Sequence, residues 1–138
     1  MIVLLDTDVL IDVALNREPF SEFSSFVLDG AEQRLFQAFL AWHSIANFYY
    51  VTSSTISGTD SKKLIKELLQ FVLVAPTTTK DALYATTLNL KDFEDALQIA
   101  AAKACNAELI ITRNTKHYKN SPIEAKTPQV FRTIITTT

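Results

Sequence analysis

The chain holds only two glycines, four prolines, one cysteine and one tryptophan in 138 residues. So little glycine excludes an all-β or loop-rich chain, in which turn after turn needs its conformational freedom. The lone thiol, Cys105, can close no intramolecular disulfide, whereas a secreted domain of this size commonly carries several. Basic charge is not in excess either: 13 Lys and Arg stand against 15 Asp and Glu, a net charge of −2. A domain that grips phosphate backbones through broad electrostatics is usually strongly basic, so any nucleic-acid role must rest on a local site. The longest apolar-looking run, residues 35–51, is interrupted by Gln37, His43, Ser44 and Asn47. It falls short of the about 20 apolar residues that a membrane span needs. The opening Met1-Ile2-Val3-Leu4-Leu5 is too short for a signal peptide, so the cytoplasm is the expected compartment. No P-loop, Gly-rich dinucleotide fingerprint or Gly-x-Ser-x-Gly elbow occurs.

What is present reads as one α/β domain over residues 1–138, with 48% apolar and 20% charged residues. Residues 2–5 form a short continuous apolar run, the signature of a strand buried on both faces. Asp6 or Thr7 then caps a helix reaching about Leu15, and Asn16-Arg17-Glu18-Pro19 breaks it. Phe20, Phe23, Phe26, Val27 and Ala31 recur at helical spacing, a short strand is expected within 35–42, and Ile45, Phe48, Tyr49 and Thr52 predict another helix. Residues 53–60 read as a loop, with Asp60 or Ser61 capping a helix over 62–69. Strands over 71–75 and 109–111 alternate with helices over 80–88 and 92–105. A last short strand is expected over 123–125, and Pro128 opens a final helix capped by Thr127. Such alternation predicts a three-layer α/β/α sandwich around a parallel sheet of four to five strands. Ligands then bind at the carboxyl ends of the strands, which directs attention to Asp6-Thr7-Asp8 and Thr112-Arg113-Asn114.

Asp6 and Asp8 follow the first strand, and Asp12 lies one helical turn beyond Asp8. Carboxylates near helix-terminal N–H groups should stay ionised at neutral pH, as ligands of a hard cation must. Capping of the helix and its dipole explains the same residues equally well. Asp92, Glu94 and Asp95 cluster at the start of a helix, where Asp92 can equally be an N-cap with two acids in the first turn. Helical spacing predicts a buried stripe of Phe93, Leu97, Ala100 and Ala104, leaving Asp95 off the core face. Arg113, Lys116, His117 and Lys119 make residues 112–120 the densest basic segment, able to steer a phosphate toward the carboxylates or simply to be a solvated loop. His117 has no neighbouring Cys or His at zinc spacing and reads as a surface histidine.

Three blocks in register now carry a resemblance. The run Leu4-Leu5-Asp6-Thr7-Asp8-Val9-Leu10-Ile11-Asp12 resembles the opening motif of PIN domains. Asp95-Ala96-Leu97-Gln98-Ile99-Ala100-Ala101-Ala102 resembles their central block, and the segment from Leu109 through Thr112-Arg113-Asn114-Thr115-Lys116-His117-Tyr118 their closing one. The resemblance implies a Mg²⁺- or Mn²⁺-dependent ribonuclease, often a toxin of VapC type held by a small antitoxin protein. It implies Asp6 and Asp95 as metal ligands, Asp8 and Asp92 as supporting carboxylates, and Thr7, Asn47, Thr112, Arg113, Asn114 and His117 as supporting or substrate-binding groups. Two acids of the family pattern fall at Asn47 and at Asn114 or His117, none of them acidic.

Those departures motivate an alternative, a degenerate PIN module that binds RNA or a protein partner without cleaving. A third reading rests on Leu4-Leu5-Asp6-Thr7-Asp8-Val9-Leu10, which also fits the nucleophile motif of haloacid-dehalogenase-type phosphatases, though no acid follows Glu124 to complete it. The aromatic helices around 20–26 and 48–50 could supply a homodimer face, although core packing accounts for most of them.

Overall fold

The computed structural model describes residues 1–136. Five parallel strands, β1 (Ile2–Leu5), β2 (Gln37–Leu40), β3 (Val72–Val74), β4 (Leu109–Ile111) and β5 (Glu124–Lys126), form one sheet in the order β3-β2-β1-β4-β5. The chain builds outward from β1 to β3, then returns to lay β4 against the other side of β1, with Val3 opposite Leu109 and Leu5 opposite Ile111. Strand order therefore reverses at the β1–β4 pair, and the carboxyl ends of these two strands flank the switch point where an open sheet can receive a ligand.

β1 and β4 are apolar throughout because both faces of the sheet are covered. Val3, Leu5, Leu109 and Ile111 pack with Val9 and Leu10 of α1 (Thr7–Ala14), Val27 of α2 (Ser21–Glu32) and Phe131 of α7 (Pro128–Thr136). Leu4 and Ile110 turn the other way, onto Ile99, Ala101 and Ala102 of α6 (Phe93–Ala104) and Cys105 just after it. Full burial of each such aliphatic side chain is worth roughly 2 kcal/mol of transfer free energy. The three layers and the parallel sheet agree with the sequence reading. The remaining helices are α3 (Trp42–Ser53), α4 (Gly58–Leu68) and α5 (Thr79–Thr87).

Two local expectations need correction. Of the expected Phe93/Leu97/Ala100/Ala104 stripe of α6 only Ala100 is buried: Phe93 is 53% exposed, while Ala96, Gln98, Ile99, Ala101 and Ala102 complete the buried face. The helix packs on two surfaces at once, the sheet and α5, so its covered arc is wider and turned away from Phe93. α4 starts at Gly58, inside the expected loop, because Ser57 rather than Asp60 or Ser61 is its cap; Ser57 Oγ accepts from Asp60 N at 3.0 Å. Ser61 instead lies buried and accepts from Thr52 Oγ1 at 2.8 Å. The short strand expected within 35–42 is present as Gln37–Leu40, and Leu35 before it is 59% exposed.

Scarce glycine has a structural consequence. Helices α1, α2 and α6 each end with a residue in the left-handed region, and those residues are Asn16 (φ 50°), Arg34 (φ 61°) and Asn106 (φ 59°). Asparagine tolerates that conformation; arginine there carries the full Cβ penalty.

Candidate functional site

Asp6 stands at the end of β1 as the N-cap of α1, and its carboxylate is surrounded by donors. Oδ1 accepts from Thr7 N (2.8 Å) and Gln98 Nε2 (3.1 Å); Oδ2 accepts from the hydroxyls of Thr112 (2.9 Å) and Tyr118 (3.0 Å). A carboxylate offers about four lone-pair sites, so Asp6 is saturated. The donors come from α1, α6, the end of β4 and the 3₁₀ turn at Thr115–Tyr118, which ties four elements to one side chain. Beneath it Thr7 Oγ1 donates to Ser44 Oγ at 2.8 Å, and Gln98 Nε2 reaches the same oxygen at 3.0 Å. Ser44, Gln98 and Thr112 are all fully buried. A buried network of this kind orders its members, because any unpaired group in it would lose its hydration without return.

Asp8 does not behave as its position at a helix start suggested. Its Oδ2 accepts from Arg113 N (3.1 Å), Asn114 Nδ2 (3.1 Å) and Thr112 Oγ1 (3.3 Å), while Oδ1 is buried without a partner. Burial, reinforced by the charge of Asp6, pushes its carboxyl up to about 7, against the expectation that it stays ionised at neutral pH. Arg113 is likewise corrected as a phosphate-steering group. Its Nε donates to Asp12 Oδ2 and its Nη2 to Asp12 Oδ1 at 3.2 Å, and its guanidinium lies 4.1 Å from the centre of the Phe20 ring. Asp12 is wholly buried, so the guanidinium is held by its need for a counter-charge.

The second half of the site lies on α6. Asp92 is the N-cap, its Oδ1 accepting from Glu94 N at 2.8 Å, so the capping alternative holds for this residue. Asp95 faces Asp6 across Tyr118: the phenol lies 3.3 Å from Asp95 Oδ1 and 3.0 Å from Asp6 Oδ2. One phenolic proton serves two carboxylates, and burial together with the charges of Asp6 and Asp95 pushes Tyr118 far above the ordinary phenol range, so it remains a neutral donor. Burial, then the charges of Asp92 and Asp6, also raises Asp95, opposed by His117, whose Nδ1 lies 3.5 Å from Asp95 Oδ2. Glu94 is raised by burial and by Asp6, Asp92 and Asp95, and its Oε1 accepts from Asn47 Nδ2 at 2.9 Å.

Asp6, Asp95, Asp8, Thr112, Asn114 and His117 thus meet at the switch point, with Thr7 just beneath. Asn47 reaches the site only through Glu94, and Arg113 contributes its backbone N–H rather than its charge. The sequence placed Glu94 only as an acid of the helix's first turn and assigned no site role to Gln98, Ser44 or Tyr118. Gln98 had a local signal: a polar residue among buried alanines, one turn after Asp95, on a helix that must cover the sheet. Ser44 and Tyr118 had none beyond their place in the chain. His43 also borders the site; burial pushes its imidazole below the ordinary range, and its Nε2 is buried without a partner.

The chemistry of this donor set fits a hard divalent cation. Asp6, Asp92, Glu94 and Asp95 are oxygen ligands whose mutual repulsion a cation would relieve. Among the described residues no three His, Cys, Asp or Glu side chains already surround one point, so binding would require them to be drawn together.

Comparisons with known proteins agree with this fold. A family model described as "PIN domain" matches residues 2–116. No curated protein matches the chain in sequence. Among solved structures, a toxin–antitoxin complex from Klebsiella pneumoniae superposes with a TM-score of 0.70 at 21% identity, covering 91% of this chain and 97% of that one. VapBC2 from Rickettsia felis, bound to a DNA fragment from its promoter, gives a TM-score of 0.69 at 19% identity over 92% and 98%. VapC20 from Mycobacterium tuberculosis, a toxin that cleaves the sarcin–ricin loop, gives 0.63 at 10% identity over 78% and 86%.

Proposed function

Because the chain belongs to the PIN domain family over residues 2–116, we propose that it is a Mg²⁺- or Mn²⁺-dependent ribonuclease of VapC type, the toxin of a toxin–antitoxin pair. The observation that carries this reading is the pairing of Asp6 and Asp95, far apart in sequence, on either side of the Tyr118 hydroxyl at the switch point. Asp6 and Asp95 would hold the cation, with Asp92 and Asp8 adding to the negative field. When bound there, such an ion offsets charge on a phosphodiester and lowers the pKa of the attacking water.

The remaining work falls to side chains of this chain. Gln98, Thr7 and Thr112 aim the Asp6 carboxylate, and Tyr118 keeps its proton between Asp6 and Asp95. His117 lies against Asp95 and opposes the rise of its pKa. Glu94 supplies the acid that position 47 lacks, with the Asn47 amide holding it beside the site. Thr112 and Asn114 seat Asp8. RNA is the substrate, the cytoplasm the compartment, and a small antitoxin protein the partner, in line with the complexes that share this fold. Among the described residues no helix is long and apolar enough to cross a membrane. A homodimer would use the exposed Trp42 and Tyr50 of α3 rather than Phe48, which is buried, or Phe20, which stacks under Arg113.

The test is titration of purified protein with Mn²⁺ and Mg²⁺, followed by RNA cleavage at each metal level, for wild type, Asp95→Asn and Glu94→Gln. Saturable binding and cleavage are expected in wild type, lost in Asp95→Asn and weakened about tenfold in Glu94→Gln. No binding at millimolar metal would favour the second reading, a PIN module that binds RNA or protein without cutting. The saturation of Asp6 by four donors is the observation on that side. The phosphatase alternative has no further support: the family is a different one, and a saturated, buried Asp6 is a poor nucleophile.

A further inference from the structure

Beside the carboxylates a cleft of about 660 Å³ opens between the start of α6 and the segment that follows β4. It is lined by Phe93, Lys91, Lys116 and Lys119 together with Asp92, Asp95 and His117 of the acidic site. We propose that this cleft is a subsite for one unpaired nucleotide of single-stranded RNA, its base stacked on Phe93 and its flanking phosphates held by Lys91, Lys116 and Lys119. The inference rests on the ribonuclease reading for its substrate, and on the cleft itself for its form.

Phe93 is 53% exposed at the first position of a helix whose apolar face points elsewhere, so core packing does not explain the ring. The Asp92 cap holds that first turn, which presents the ring on a rigid element. Among the described residues none of the three lysines has an ion-pair partner, so their charge is available to a ligand. Ammonium groups on flexible stems suit backbone phosphates, which need charge more than directional readout. A flat ring beside such charges is the combination that binds single strands, because every base has a π-face and a duplex hides its own. The volume lies within the range of small-ligand pockets. Asp92 and Asp95 repel a phosphate, which leaves the phosphates to the three lysines. Arg113, which the sequence offered as a phosphate ligand, is engaged by Asp12 and does not compete for this role.

The experiment is fluorescence anisotropy with a labelled ten-nucleotide single-stranded RNA and the full chain in EDTA, where no cleavage occurs. Wild type is compared with Phe93→Ala, Phe93→Trp, the double variant Lys116→Gln/Lys119→Gln, and Lys62→Gln/Lys63→Gln on α4 as a control. Phe93→Ala should weaken binding about tenfold while Phe93→Trp retains it. The cleft double variant should lower the slope of log affinity against log salt by about one, and the control should leave it unchanged. Equal affinity of wild type and Phe93→Ala, or no RNA binding by wild type, overturns the proposal. Phe93-dependent binding without cleavage in Mn²⁺ would support the subsite and overturn the ribonuclease reading. Cleavage with Phe93-independent binding would do the reverse.

Discussion

The two halves of the acidic site are built on opposite principles. At Asp6, four donors from four elements converge on one carboxylate and pair both of its oxygens. Along α6, Glu94 and Asp95 are raised by burial and by the charges of Asp92 and Asp6, with Asn47 and His117 as modest compensation. One half is framework that happens to carry charge; the other carries charge that the framework does not neutralise. A ligand that brings positive charge gains most at the second half. The comparison teaches that a carboxylate's place in a motif does not say which of these it is, because the number of donors around it decides.

Stability measured in EDTA separates the halves. Asp6→Ala removes the acceptor of four buried donors and should cost about 4 kcal/mol, whereas Asp95→Ala relieves like-charge repulsion and should shift stability by less than about 1 kcal/mol. Equal losses in urea melts of the two variants would break the distinction. Arg113→Met leaves Asp12 buried without its counter-charge and should cost about 3 kcal/mol; an unchanged melt would restore Arg113 to the pool of free cations.

Asp8 sharpens the contrast through pH. Its carboxyl is raised to about 7, so the folded state holds a proton that the unfolded chain releases near pH 4. Stability should therefore fall as pH rises from about 4 through about 7. Asp8→Asn keeps the shape and removes that slope, stabilising by about 4 kcal/mol at pH 8 and by little at pH 4. Parallel stability–pH curves for the two proteins would show that Asp8 ionises freely. The smallest effect belongs to the glycine shortage: Arg34→Gly relieves a left-handed arginine and should stabilise by about 0.5 kcal/mol, read as a small rise in Tm.

Much of this was legible in the chain. The short apolar runs of β1 and β4 could only be strands covered on both faces, and the acids directly after β1 had to lie at the sheet's carboxyl edge. Thr127 and Pro128 marked the start of α7 through local geometry alone, and Thr127 Oγ1 does accept from Val130 N at 3.2 Å. Asp92 as a cap was readable for the same reason, since capping is satisfied within a few residues.

What the sequence by itself determined is therefore the alternation of elements, the parallel sheet and the edge at which the acids gather, because these follow from periodicity and from bonds between near neighbours. Only the tertiary structure decided that Asp8 is driven toward its neutral form, that Arg113 belongs to Asp12, and that Tyr118 and Gln98 reach Asp6. It also turned Phe93 outward and brought Glu94 to Asn47. Each of those depends on desolvation or on a partner many residues away, and burial becomes defined only when separate elements pack against one another.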